Sequence, residues 1–166
     1  IIADNYPVPD RMLLHNEKVV HEYLMWAMCG NNPPKGKFDL FATEGGTAAM
    51  CYVFDSLITN KVLRRGDTIA LGTPIFSPYL EIPRLSEYQF EVVEVQATQE
   101  NLFQFSDAEL AKLEDPKVKA FFLINPSNPP SVAINPEVIG QLVNLVKTKR
   151  PDLIILTDDV YGTFVK

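Results

Sequence analysis

Apolar positions along this chain keep two alternating rhythms. "AFFLI" (Ala120–Ile124) and "LIILT" (Leu153–Thr157) read as continuous apolar runs. Runs of that kind suit parallel strands buried on both faces. "GDTIALGTP" and "FEVVEVQ" are two more short strands, and "FDLFATEGG" is a strand running into a glycine turn. Between them the spacing changes to the helical period. Helices are expected over Arg11–Met28, Thr47–Leu63, Ser77–Glu87, "SDAELAKLED" and Pro136–Lys149. Thr47–Leu63 is apolar on nearly every side, which predicts a buried helix. Pro78 and Pro83 interrupt the third helix. Ser106 and Asn135 stand as N-caps, the latter with proline at the first helical position, and Asp10 can cap the first helix. Alternating strands and helices predict an α/β, doubly wound, mostly parallel sheet.

Composition narrows the picture. The chain has 166 residues, 46% hydrophobic and 22% charged, as an ordinary globular domain has. A net charge of −6 argues against nucleic acid or an anionic membrane as the main partner. Two cysteines, Cys29 and Cys51, make neither a disulfide framework nor a zinc site, which points to a reducing, cytoplasmic compartment. "IIADNYPVPD" lacks the basic start and apolar middle of a secretory leader. The opening without methionine and the close on "YGTFVK", soon after a strand, lead us to expect a fragment of a longer protein.

Parallel α/β sheets bind ligands at the carboxyl ends of their strands. Four motifs stand at such ends. "EGGT" (Glu44–Thr47) can aim backbone N–H groups and a hydroxyl at an anion, with a helix dipole behind them. It is neither the dinucleotide fingerprint nor a Walker loop. "TPIFSPY" (Thr73–Tyr79) presents Phe76 between two prolines, as a plate for a flat ring. "NPSNPPS" (Asn125–Ser131) packs two asparagines and three prolines into seven residues, so neutral amides ride on a stiff, non-helical path. "TDDVY" (Thr157–Tyr161) puts the carboxylate of Asp158 at a strand end, where it can pair with a cationic nitrogen. Each also has a plain structural reading: a packing glycine, a core phenylalanine, a loop signal, a capping aspartate. Their order along successive strand ends joins them into an anion cradle, an aromatic plate, an amide and a carboxylate. That set fits a flat, phosphorylated, cationic heteroaromatic ring.

These words resemble the large domain of fold-type I pyridoxal-phosphate enzymes, the aspartate aminotransferase family. "DNYPVPDRML", "FATEGGTAAM" and "NPSNPPS" are most similar to its aspartate 4-decarboxylase subgroup. Common aminotransferases carry N-P-T-G where this chain has Asn128-Pro129-Pro130-Ser131, a departure that favours the decarboxylase subgroup. The resemblance implies a truncated large domain over residues 37–166, preceded over residues 1–36 by an extended segment, a helix and a loop. It implies pyridoxal 5'-phosphate as cofactor. Gly45, Gly46 and Thr47 match the phosphate-binding turn. Phe76 matches the ring-stacking aromatic, and Asn128 the amide on the phenolic oxygen. Asp158 matches the partner of the pyridine nitrogen, and Tyr161 a second group on the phenolic oxygen; these two are the catalytic candidates. Tyr6 matches a tyrosine that reaches the phosphate of a neighbouring subunit.

The Schiff-base lysine and the small domain lie beyond this chain in the family's order, and Lys166 stands too close to Tyr161 to be that lysine. The parent is then an enzyme acting on aspartate, yielding alanine and carbon dioxide with transamination beside it, and this segment alone is inactive. An ordinary aspartate-type aminotransferase is the alternative. So is an aminotransferase-like sensor domain of a transcription regulator. The resemblance also implies a homo-oligomer with shared active sites, and partners limited to a small amino acid, without nucleic acid or membrane.

Overall fold

The computed structural model describes residues 12–30, 32 and 34–164. Tyr6, Asp10 and Lys166 lie outside the described residues. The chain divides into two compact units, Ile1–Ala49 and Met50–Lys166. In the first, α1 spans Leu14–Cys29 and has no buried residue. Its His21 ring stacks on Phe38, with centroids 4.3 Å apart and planes 4° from parallel. "FDLFATEGG" (Phe38–Gly46), expected as a strand running into a glycine turn, holds no strand. A strand needs a pairing partner for its N–H and C=O groups, and none of the four described strands pairs with this segment. Phe41 stands 64% exposed. Helix α2, Gly46–Thr59, begins in this unit and continues into the next.

The second unit carries a four-stranded parallel sheet. Its strands are β1 (Thr68–Thr73), β2 (Glu91–Gln96), β3 (Val118–Ile124) and β4 (Ile154–Asp158), in the order β2-β1-β3-β4. The short α3 (Pro78–Glu81) and α4 (Asp107–Leu110) each run on into a 3-10 turn. The full-length helix after β3 is α5, Pro136–Thr148. Of the three caps expected from the sequence, Asp10 lies outside the described residues and the other two are made. Ser106 Oγ accepts from the Glu109 N–H, and Asn135 Oδ1 from the Val138 N–H.

Period-2 alternation splits the core into two layers. Ile69, Leu71, Ala120, Phe122 and Ile124 face one way, onto Phe54, Tyr79, Tyr88 and Phe90. Ala70, Phe121 and Leu123 face the other, onto Leu113, Val138 and Leu145. β3 is buried along most of its length, as its apolar run requires. β4 has the same composition, yet its side chains are only partly covered, because it pairs with β3 on one edge alone among the described residues. Helix α2 is less buried than its composition suggests: Met50 and Phe54 are its buried residues, while Tyr52 is 47% exposed. Burying a ring such as Phe54 contributes about 2–3 kcal/mol.

Gly72 on β1 has a packing reason. A Cβ there would stand 2.9 Å from Phe105 Cζ and 3.3 Å from Phe121 Cζ.

Candidate functional site

The strand order changes direction at β1. The chain leaves β1 for β2 on one side, and β3 lies on the other. The crevice at the carboxyl ends of β1 and β3 is therefore a topological switch point, where such sheets bind ligands. Phe76 follows β1, Asn128 follows β3, and Asp158 ends β4.

Phe76 sits on a turn after the cis Thr73–Pro74 bond and is 39% exposed, so its ring is not core filler. Its carbonyl accepts from the Tyr79 N–H at 3.0 Å, which sets Tyr79 one turn later. Tyr79 is buried, and its hydroxyl donates to Asp158 Oδ2 at 3.1 Å. Burial, then the charge and hydrogen bond of Asp158, push this hydroxyl well above its usual pKa, so it stays a donor. Tyr79 is the residue that reading the sequence missed. It closes the "TPIFSPY" word, but nothing local announces a bond to a residue 79 positions away.

The other oxygen of Asp158 accepts from the Val160 N–H at 3.1 Å, so the plain capping reading also holds. One bond to each oxygen leaves further acceptor capacity, since a carboxylate has about four lone-pair sites. Tyr161, three residues on, is 40% exposed and packs edge-on against Phe164.

The Asn125–Pro126 and Asn128–Pro129 bonds are both cis. The two asparagines have different duties. Asn125 braces the loop: its N–H donates to the Asp158 carbonyl at 3.0 Å, and its Oδ1 accepts from the Ile134 N–H at 2.9 Å. Asn128 is half-buried, and its amide makes no hydrogen bond among the described residues. Ser131 holds φ at +61°, in the left-handed region that glycine occupies without strain. The glycine of the common N-P-T-G word suits that backbone.

The glycine turn belongs to the first unit. Gly45 has φ of +135°, which only glycine takes easily. Thr43 Oγ1 donates to the Gly45 carbonyl at 3.1 Å, and the Ala49 N–H donates to the same oxygen at 2.9 Å. The first-turn N–H groups of α2 have no partner inside the helix. Added Cβ atoms at Gly45 and Gly46 would meet no atom within 4 Å, so the turn is open to a ligand. Thr47 is exposed. Such a turn suits a phosphate.

The second unit thus brings Phe76, through Tyr79, together with Asp158, and joins Asp158 to the base of the Asn128 loop. Among the described residues no cluster of three or more His, Cys, Asp or Glu side chains is arranged for a metal ion.

Comparison with known proteins shows the family and the fold. A bifunctional aspartate aminotransferase and L-aspartate beta-decarboxylase from a Pseudomonas species is 51% identical over 164 residues, which are 99% of this chain and 31% of that protein. An aspartate aminotransferase double mutant of Thermus thermophilus superposes with a TM-score of 0.59 at 26% identity, covering 70% of this chain and 28% of that one. Cystalysin from Treponema denticola, solved with a pyridoxal 5'-phosphate cofactor, superposes at a TM-score of 0.57 over 69% of this chain and 28% of its own. At 18% identity the cystalysin likeness speaks to the fold alone. The chain spans about a third of the length of these proteins. The model of the family "Aminotransferase class I and II" matches residues 41–166. The chain belongs to that family.

Proposed function

We propose that the whole protein is a pyridoxal 5'-phosphate enzyme that converts aspartate to alanine and carbon dioxide, with transamination as a second activity. The observation that carries the reading is the Asp158 carboxylate, held by Tyr79 at the switch point and joined by its backbone to the Asn128 loop. The 51% identity to a bifunctional relative supports aspartate as substrate and both activities.

The residues present fit the cofactor. The open turn at Gly45, Gly46 and Thr47 offers N–H groups and a hydroxyl to its phosphate. Asp158 has acceptor capacity for a protonated ring nitrogen and would hold the proton there. Phe76 offers a face to the ring and restricts its plane. In this reading Asn128, with its unengaged amide, and Tyr161, with its hydroxyl, would serve the phenolic oxygen. When bound, the cofactor supplies the electron sink. Tyr79 keeps Asp158 oriented throughout, because its own proton is held firmly.

The covalent lysine belongs to the remainder of the protein in this reading, so the chain alone does not turn over aspartate. The parent is a homo-oligomer of the cytoplasm. Cys29 and Cys51 are unpaired, and no helix of the described residues is long and apolar enough to cross a membrane.

Full-length protein, loaded with pyridoxal 5'-phosphate and given aspartate, tests the reading. Alanine with stoichiometric carbon dioxide supports it. Turnover that needs 2-oxoglutarate and yields no alanine leaves an ordinary aminotransferase, the second reading, which the likeness to the Thermus thermophilus aspartate aminotransferase supports. No turnover of aspartate refutes both.

A further inference from the structure

We propose that Gln104 is a positioning residue for Asn128, acting across the segment Val132–Asn135. The inference rests on the reading above that the Asn128 amide meets the phenolic oxygen of the cofactor.

Gln104 lies between β2 and α4, directly after two residues in left-handed conformation, Leu102 (φ +52°) and Phe103 (φ +56°). That turn carries its side chain to the far end of the asparagine loop. There Nε2 donates to the Ala133 carbonyl at 3.1 Å, and Oε1 accepts from the Asn135 N–H at 2.8 Å. One amide that pairs with the C=O of one residue and the N–H two residues later does what a neighbouring strand would do. From the loop's own start, Asn125 Oδ1 takes the N–H of Ile134, the residue between. Three successive residues are thus held by two side-chain amides.

This clamp anchors a closed frame. The Ser127 N–H donates to the Val132 carbonyl, and Ser127 Oγ bonds both the N–H and the carbonyl of Val132. The Ser131 N–H returns to the Ser127 carbonyl at 2.9 Å. Asn128 sits inside that reverse turn, at the one place in the frame where a side-chain amide is left unengaged among the described residues. Asn135 is also the N-cap of α5, so the far end of the frame is tied to a helix. Without Gln104 the grip on Ala133 and on the Asn135 N–H is lost, and Asn125, Ser127 and the cap at Asn135 are left to hold the frame. The Asn128 amide then spends less time in its bonding position, and the phenolic oxygen holds its proton to higher pH.

Full-length protein carrying pyridoxal 5'-phosphate is titrated with pH while its visible absorption band is followed. Asn128→Ala raises the midpoint by about one pH unit, the worth of one hydrogen bond to a charged oxygen. Gln104→Leu raises it by less, and adds nothing on top of Asn128→Ala in the double variant. Gln104→Glu keeps the acceptor for the Asn135 N–H, loses the donor to Ala133, and falls between wild type and Gln104→Leu. In the cofactor-free protein, amide hydrogen exchange at Asn135 quickens in Gln104→Leu. An Asn128→Ala shift without any shift in either Gln104 variant overturns the role of Gln104. An unmoved midpoint in Asn128→Ala overturns the Asn128 assignment itself, and the role of Gln104 with it.

Discussion

Arg150 makes the most exacting stability prediction. Its side chain is buried at 5% exposure, yet carries a charge. The guanidinium donates to the carbonyls of Leu113 at 2.8 Å, Val118 at 2.7 Å and Asp115. Its remaining donors pair with both oxygens of Asp152, at 3.0 and 2.8 Å. One side chain thus closes the turn between the 3-10 segment after α4 and the start of β3. Arg150→Met keeps the stem and removes every one of these bonds. Asp115 is exposed, so water can replace the bond to its carbonyl. Leu113 and Val118 are 0% and 1% exposed, so their carbonyls lose the guanidinium donor where water cannot replace it. An unsatisfied buried acceptor costs about 1–3 kcal/mol, which sets the loss near 4 kcal/mol. With a urea slope of about 2 kcal/mol/M, the unfolding midpoint falls by about 2 M. Arg150→Lys recovers less than half of that, because an ammonium cannot span three carbonyls in a fork. Asp152→Asn shifts the midpoint far less, since the Asp152 side chain is 59% exposed. A fall below about 0.5 M for Arg150→Met refutes the argument.

The same pair sets a pH dependence. The hydrogen bond from Arg150 pulls the Asp152 carboxyl down to about 2, from an ordinary 3.8. The group's contribution is therefore complete above pH 3.8 and disappears as the pH falls toward 2. Asp152→Asn removes this part of the acid sensitivity, read as a smaller change in urea midpoint between pH 4 and pH 2; an unaltered acid profile contradicts it. Gly72→Ala drives a methyl into Phe105 and Phe121. It costs about 1–3 kcal/mol by thermal unfolding, and a neutral result means the rings move aside freely. Ser131→Gly relieves a left-handed serine and gains about 1 kcal/mol by the same method. A loss there would show that the serine hydroxyl matters more than the backbone. Tyr79→Phe removes the bond to Asp158 while keeping the ring, and weakens pyridoxal 5'-phosphate binding to the full-length protein about 5–10-fold. Unchanged affinity excludes an orienting role.

Much of this structure is legible because its signals are local. The apolar run Ala120–Ile124 could only be a strand covered on both faces, and Ser106 and Asn135 sit where a helix needs an acceptor. The order of motifs along the chain placed Phe76, Asn128 and Asp158 at strand ends before any coordinates did. What stayed hidden is long-range or depends on partners. "KRPD" looks like solvated surface charge, yet Arg150 is buried, because the three carbonyls it serves lie 32 to 37 residues earlier. Gln104 acts across 29 positions and Tyr79 across 79. "FDLFATEGG" has strand-like composition but pairs with no described strand, and composition alone carries no record of a partner.

The central claim is that the Asp158 carboxylate pairs with the ring nitrogen of pyridoxal 5'-phosphate. The direct measurement is equilibrium binding of the cofactor to full-length protein, by absorbance, for wild type and Asp158→Asn. Asparagine keeps the size and an acceptor for the Val160 N–H, but loses the charge. The account predicts a loss of affinity of about 10- to 100-fold for Asp158→Asn, the worth of one charge-assisted hydrogen bond. Equal affinity in the two proteins would contradict it, and would leave Asp158 as no more than the cap of the turn at Val160.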